Sequence, residues 1–334
     1  MGMDWGFCER GRAMKYRACA LMSFLLFVFS SAACAFEPAV HALYTHRGAE
    51  AYQACVDLGA DFPRLRAADF DALAEGTRAE DETEMCRRIT NWHFPHREGM
   101  WRKMWFLLFF VKLDQEPIFS RRVEDLHRSL PSGGDAARKE FFMHAGRVLH
   151  YIQDMRVPAH VIPVYHGGVV KEGFDAYVFN DRENLQRMTL DRCQAIAEQV
   201  VAPCPDCLPG RLASVIKQTE HALTPDNHDL SDNPVARCWR EVFWCGPEDR
   251  GGACSEPAYP GFGAYVQGEN SLQFGEPGTV RCQGELVRFD DNAYRRFFAA
   301  GYRSMLDDIV YMLVYTGRLL ASASPGGAPV SRTK

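Results

Sequence analysis

HYIQDMRVPAH, residues 150–160, places two imidazoles and a carboxylate within eleven positions. His150 and Asp154 stand four apart, so on a helix they lie one above the other on a single face. The preceding residues predict that helix: Phe141, Phe142, Gly146, Leu149 and Ile152 form an interrupted apolar face, with Arg138 and Lys139 on the wet side. Pro158 has no amide hydrogen and restricts the residue before it, so the helix is expected to end or kink there. His160 follows just beyond, within reach of the same centre or a neighbouring one. Imidazole and carboxylate together are natural ligands for zinc. The bland alternative for these eleven residues is a polar helix face, and the decision rests on the rest of the chain.

Outward from this stretch, other candidate ligands accumulate in the first half of the chain. His41 falls in a segment, FEPAVHALYTHRGAEAYQACVDLG, expected to be helical from about Pro38 to a stop near Gly59. His46, five residues on, diverges from it around the helix. Asp61–Gly76 reads as a shorter helix–turn region. Glu80, Asp81 and Glu82 follow it, a run that is ordinarily a solvated turn. His93 lies in an aromatic, proline-bounded loop, NWHFPHRE. Beyond His160, His166 precedes a Gly-Gly turn, and Glu172 and Asp175 open a further segment. The candidate ligands are then His41, Asp81, His93, His150, Asp154, His160, His166 and Asp175, more than one zinc requires and suited to two or three metals.

The chain begins with a leader-like stretch. Arg10, Arg12, Lys15 and Arg17 precede an apolar run from Ala18 to Ala33, too short to span a bilayer, and SAACA has the small-x-small form of a cleavage site. Residues 1–35 are expected to be a cleaved signal peptide, with Phe36 the new N-terminus and a secreted or periplasmic product. A lipoprotein anchored through Cys34 is the less favoured alternative. Of the twelve cysteines, those outside the leader suit disulfides in an oxidising compartment. Cys204 and Cys207 form a lone CxxC, better suited to a stapled loop than to half a zinc knuckle. Cys55 and Cys86 are expected to pair and hold Asp81 against the His41 helix.

The formal net charge of −5 offers no electrostatic reason for stable binding to duplex nucleic acid. Met100–Leu113, MWRKMWFLLFFVKL, is the most apolar stretch after the leader. It is expected to be a buried helix, with transient membrane-surface contact through Trp101, Arg102, Lys103 and Trp105 as the alternative. A Cys-, Gly- and Pro-rich excursion at about 193–284 carries a helix near Leu212–Leu223. A final helix, about Asp290–Ala321, should pack on a bundle, because Arg295, Arg296, Asp307 and Asp308 interrupt any membrane span. Residues 322–334 are expected to form a flexible tail. The fold class is therefore all-α, a multi-helix bundle, and the expected organisation is one helical domain over 36–321. Walker, dinucleotide-binding and HExxH motifs are absent from the sequence.

Over roughly Phe36–Val178 the chain resembles the zinc-dependent phospholipase C and S1/P1 nuclease superfamily, most specifically in LHYIQDMRVPAH. The resemblance implies an all-α hydrolase domain around up to three Zn²⁺ ions, cleaving phosphodiester or phosphomonoester bonds with metal-activated water. It implies that the free amine and carbonyl of Phe36, with His41 and Asp154, hold one metal. Asp154 would bridge to a second, held by Asp81, His93 and His150, and Asp81 would serve as proton acceptor or water orienter. His160 and Asp175 would hold a third. There the family pattern has a histidine four residues before the acid, where this chain has Lys171; His166 is the substitute, and Glu172 and His46 are reserves. The implied substrate is a phospholipid or other phosphodiester, with phospholipase C first, a single-strand nuclease or phosphomonoesterase second, and a non-catalytic metal-binding secreted protein third.

Overall fold

The structure is a computed structural model, which describes residues 38–81, 93, 115–161, 164–165, 178–179, 187–200, 203–204, 206–223, 233–239, 263–264, 278–282 and 285–323. Helix α1, Pro38–Asp57, starts on proline, whose missing N–H costs nothing in a first turn. It stops at Gly59, whose φ of 86° lets the Ala60 amide reach back to the Cys55 carbonyl at 3.0 Å, as a Schellman ending requires. Helix α2, Ala67–Asp81, runs beyond the expected turn region. The Asp69 carboxylate caps its start by accepting from the Arg66 amide at 2.7 Å. Glu80 and Asp81 end this helix fully buried, which corrects their reading as a solvated turn.

Helix α3, Gln115–Arg128, is followed by a turn at Gly133 and Gly134 and then by α4, Asp135–Asp154. The packing of α2 on α4 is what builds the site. A methyl group added at Gly146 would stand 2.1 Å from the Leu73 carbonyl, and one at Gly76 would stand 2.2 Å from the Met143 carbonyl. Both positions therefore require glycine, and the two backbones touch. One turn further on, Glu80 and Asp81 come to face His150 and Asp154.

Helix α4 ends at Asp154, and Pro158 opens a new short helix, α5, Pro158–Val161. Proline suits the first helical position and could not have continued α4. The intervening turn is clamped from outside. The Met155 carbonyl accepts from Thr219 Oγ1 at 2.7 Å, and Arg156 Nε donates to Asp308 at 2.6 Å.

Helices α6, Leu190–Gln199, α7, Cys207–Leu223, and α8, Pro234–Trp239, precede the long α9, Asp291–Ala323. The excursion is thus more helical than its composition suggests, because Pro209 and Gly210 fall in the first turn of α7, where they are tolerated. Strands β1, Val164–Tyr165, and β2, Gly263–Ala264, pair in parallel. β3, Gly278–Cys282, and β4, Glu285–Phe289, form an antiparallel hairpin that adds a minor β element to the helical bundle. One hydrophobic cluster runs from Val40 on α1 to Leu319 on α9 and includes Phe141, Phe142, Leu149, Leu306, Ile309 and Leu313. Among the described residues no helix is long and apolar enough to cross a membrane. The Met100–Leu113 stretch and residues 322–334 lie outside the described residues, apart from Ala323 at the end of α9 and its neighbour Ser322.

Cys55 pairs with Cys193, not with Cys86. Both sulfurs lie in the sealed interior, where they join α1 to α6. Asp81 is held instead by the close α2–α4 contact; Cys86 lies outside the described residues. A second disulfide joins Cys204 to Cys207. In the chain-entropy picture the first, closing a loop with a separation of 138 residues, contributes about 5 kcal/mol, and the second, with a separation of 3, about 2 kcal/mol.

Candidate metal centre

Five of the predicted ligands converge where α1, α2 and α4 meet. His41 comes from α1, Asp81 from the end of α2, His150 and Asp154 from the last turn of α4, and His93 from the segment between α2 and α3. None is more than 6% exposed. They form two groups of three, His41–Asp81–His150 and His93–His150–Asp154, each with its ligand atoms within 4.8 Å of one another.

The two carboxylates straddle the cluster. Asp154 Oδ1 lies 3.3 Å from His41 Nε2, while Oδ2 lies 2.6 Å from His93 Nδ1 and 3.4 Å from His150 Nε2. Asp81 divides its oxygens likewise, with Oδ2 3.5 Å from His41 Nε2 and Oδ1 3.6 Å from His150 Nε2. Two ligands of one tetrahedral zinc, each about 2.0–2.1 Å from it, stand about 3.3–3.4 Å apart. Four of the five separations are near that value, and the fifth, at 2.6 Å, is a direct hydrogen bond. Asp154 Oδ1 accepts no hydrogen bond among the described residues although it is fully buried. A carboxylate oxygen sealed in the interior without a donor is costly unless a cation meets it. On these grounds the residues present fit a divalent metal.

The imidazoles are oriented from behind. His41 donates Nδ1–H to Gln153 Oε1 at 2.7 Å, and Gln153 Nε2 in turn donates to Thr45 Oγ1 at 3.1 Å. His150 donates Nδ1–H to the Thr77 carbonyl at 2.9 Å, and His160 donates Nδ1–H to the His93 carbonyl at 3.3 Å. In each neutral ring this leaves the lone pair on Nε2, which for His41 and His150 faces the carboxylates. Such outer partners are the usual way a ligating histidine is locked into one tautomer. His93 stacks on Tyr151 with ring centroids 5.3 Å apart, and Tyr151 donates to Glu80 Oε1 at 3.0 Å. Arg122 closes this second layer, donating Nε and Nη2 to the same Glu80 oxygen at 2.9 and 2.6 Å.

Electrostatics reinforce the geometry. Burial disfavours a charge on His150, but Asp154 and Asp81 outweigh it and lift the imidazole pKa to about 10. Burial likewise opposes ionisation of Asp154, yet the neighbouring His150 and His93 hold it well below the usual carboxylate range. Burial and the adjacent Glu80 push the Tyr151 phenol well above its ordinary value. The carboxylates that retain a proton so firmly at His150 would hold a metal cation in its place.

His160 is buried beside the cluster but belongs to neither group of three among the described residues. Phe36, His166, Glu172 and Asp175 lie outside the described residues, as does Lys171, and His46 is exposed on α1. Gln153 escaped the sequence reading. The available signal was helical phase, since positions 150, 153 and 154 share one face of α4. No protein-family model, curated protein or solved structure matches the chain.

Proposed function

We propose that this protein is a zinc-dependent hydrolase of phosphoric esters, most simply a phospholipase C. The observation that carries the reading is the division of Asp154, with one oxygen toward His41 and the other toward His93 and His150. A carboxylate so divided, with His41, His93, His150 and Asp81 around it, would hold divalent metal, which would stabilise charge on the attacking and leaving oxygens of a phosphoryl group. Bound zinc would supply Lewis acidity toward the phosphoryl oxygens and acidify a coordinated water.

The chain's own residues do the rest. His41, His93 and His150 supply neutral nitrogen, and Gln153 and the Thr77 carbonyl keep the His41 and His150 rings aimed. Asp81, near both His41 and His150, would accept a proton from water at one of its oxygens while orienting it through the other. The resemblance adds the Phe36 amine and carbonyl on the His41 side once residues 1–35 are removed on export, and His160, His166 and Asp175 around a third metal. It also supplies the phospholipid substrate, while the leader-like residues 1–35 are the ground for a secreted or periplasmic location.

The experiment is elemental analysis of the leader-free protein followed by three assays of the zinc-loaded form. These are diacylglycerol release from phosphatidylcholine vesicles, digestion of single-stranded DNA and hydrolysis of a phosphomonoester. Two or three zincs per chain with diacylglycerol release are expected. DNA digestion without lipid turnover would move the assignment to the nuclease branch, and bound zinc with no turnover in any assay would leave a metal-binding protein without catalysis. Failure to retain any metal would overturn the proposal.

A further inference from the structure

The Cys204–Cys207 disulfide is not part of the metal centre and lies at the edge of the core, against which Cys207 packs. Its sulfurs are separated by two residues in the sequence, Cys204-Pro205-Asp206-Cys207, so closing the loop restricts the unfolded chain little. Cys55–Cys193, by contrast, is sealed in the interior and joins two distant helices. Cys204 and Cys207 are both partly exposed. Cys207 is the first residue of α7, a helix of 17 residues, where the helix dipole favours a negative sulfur.

The surrounding scaffold does not depend on the S–S bond. The Cys204 carbonyl accepts from the Cys207 amide at 3.1 Å and from Tyr315 Oη at 2.9 Å, and Tyr315 Oη lies 2.9 Å from His127 Nε2. Leu208, next to Cys207, is fully buried in the core. Both ends of the motif are therefore pinned by contacts that survive opening of the bond.

We propose that Cys204–Cys207 is a thiol–disulfide exchange site that accepts two electrons from an external dithiol. A donor thiolate attacks Cys204 Sγ, the Cys204–Cys207 bond breaks, and its electron pair leaves on Cys207 Sγ. That sulfur is the better leaving group because the helix start stabilises its thiolate. The donor's second thiolate then attacks the donor sulfur of the mixed disulfide, forming the oxidised donor and releasing Cys204 as thiolate. Water supplies the protons that the two protein sulfurs take up. Opening is local and reversible, since α7 keeps its anchors.

The test uses the full chain under native conditions with dithiothreitol as the donor, acid quenching, alkylation and peptide mapping. Cys204 and Cys207 should be labelled together while Cys55 and Cys193 remain joined until denaturant is added, and the far-ultraviolet circular dichroism should not change. In Cys204→Ser, Cys207 should alkylate at pH 6 at least about tenfold faster in the folded chain than in urea. In Cys207→Ser, oxidised glutathione should form a mixed disulfide at Cys204. If Cys204–Cys207 stays closed in the wild-type chain until it unfolds, or opens only together with Cys55–Cys193, the proposal is overturned whatever the variants do. Equal alkylation of Cys207 in folded and unfolded Cys204→Ser would remove the leaving-group assignment on which the exchange step depends.

Discussion

Asp154 and Asp308 are both fully buried carboxylates, yet they have been given opposite surroundings. Asp308, on α9, is saturated by arginine. Arg211 donates twice to Oδ1, at 2.9 and 2.5 Å, and Arg156 donates to Oδ2 at 2.6 Å. Among the described residues Asp154 has no arginine partner; imidazoles surround it, and one of its oxygens accepts no hydrogen bond. Guanidinium is permanently charged and directs its donors in a fixed fork, so a carboxylate so paired is structural. Imidazole can give up its proton and offer a lone pair, so a carboxylate ringed by it remains free to meet a metal. Buried charge alone does not mark a functional site; the kind of partner does. The two carboxylates are also linked, because Arg156 lies two residues beyond Asp154 and ties the end of α4 to α9.

The contrast is broken most severely at Asp308. Asp308→Ala leaves Arg156 and Arg211 facing each other without their shared counter-ion. Removing one partner of a buried pair of this kind costs about 3–5 kcal/mol. Urea unfolding in the presence of a chelator should show that loss, because it does not depend on bound metal. A loss under about 1 kcal/mol would mean that solvent reaches these arginines and that the pairing is not structural.

Asp154→Ala should behave in the reverse manner. With chelator present its effect on stability should be smaller than that of Asp308→Ala, because His150 can simply release its proton when its counter-charge is gone. With zinc at about a thousand times the wild-type dissociation constant, the wild-type protein should gain about 4 kcal/mol and the variant little. Thermal unfolding with and without zinc measures both. Equal zinc stabilisation of the two proteins would place the metal elsewhere.

Asp69 belongs with Asp308 and sharpens the comparison through pH. Burial opposes its charge, but Arg138 donates Nε and Nη2 to its two oxygens, each at 2.7 Å, and holds the carboxyl below its ordinary value. A group whose folded pKa is depressed contributes stability that is fully present above the unfolded pKa of about 3.9, and that contribution is lost as pH falls through the folded value. Asp69→Asn should therefore cost about 2 kcal/mol at pH 7. The gap from the wild-type protein should narrow below pH ~4, as the unfolded pKa is passed. Chemical unfolding at pH 7, 4 and 3 gives the comparison, and a gap independent of pH would mean that Asp69 acts through packing and capping rather than charge.

The halves of this comparison were unequally legible in the sequence. The i, i+4 spacing of His150 and Asp154, the stop at Gly59 and the long apolar period of the last helix are local patterns, and each appears in the fold. The placing of His41, Asp81 and His93 with them is what the family resemblance implies, and no local pattern carries it. What places them there, the backbone contact of Gly76 with the Met143 carbonyl and of Gly146 with Leu73, leaves no local signature, since an isolated glycine in a helix has many causes. Cys55 illustrates the same limit: its partner is 138 residues away, and proximity in sequence favoured Cys86. In the sequence Asp308 shows only as an interruption of apolar character, because its arginines lie 97 and 152 residues distant. Helices α3 and α6 have polar sequences that masked them beside stronger neighbours.

The smallest expected effect concerns Gln153, and it tests whether the imidazoles are placed or merely present. Gln153 touches no candidate metal position; it accepts the Nδ1–H of His41 and is itself held by Thr45. Gln153→Ala removes the acceptor, so His41 can rotate or carry its proton on Nε2, the nitrogen that faces Asp154. Loss of such an outer partner typically weakens metal affinity about 10–100-fold, or about 1.4–2.7 kcal/mol, far short of abolition. Gln153→Glu retains an oxygen at the same reach and strengthens the acceptor, so it should recover most of the affinity even though it adds a charge. If Gln153 only fills space, the two variants should instead rank by volume and by the cost of burying a carboxylate, with Glu the worse. Competitive zinc titration against a chromophoric chelator at fixed pH, with chelator-treated unfolding as a control for stability, separates these cases. Affinity in the order wild type, Glu, Ala supports orientation through Nδ1; the order wild type, Ala, Glu would show that the hydrogen bond to His41 has no bearing on the metal.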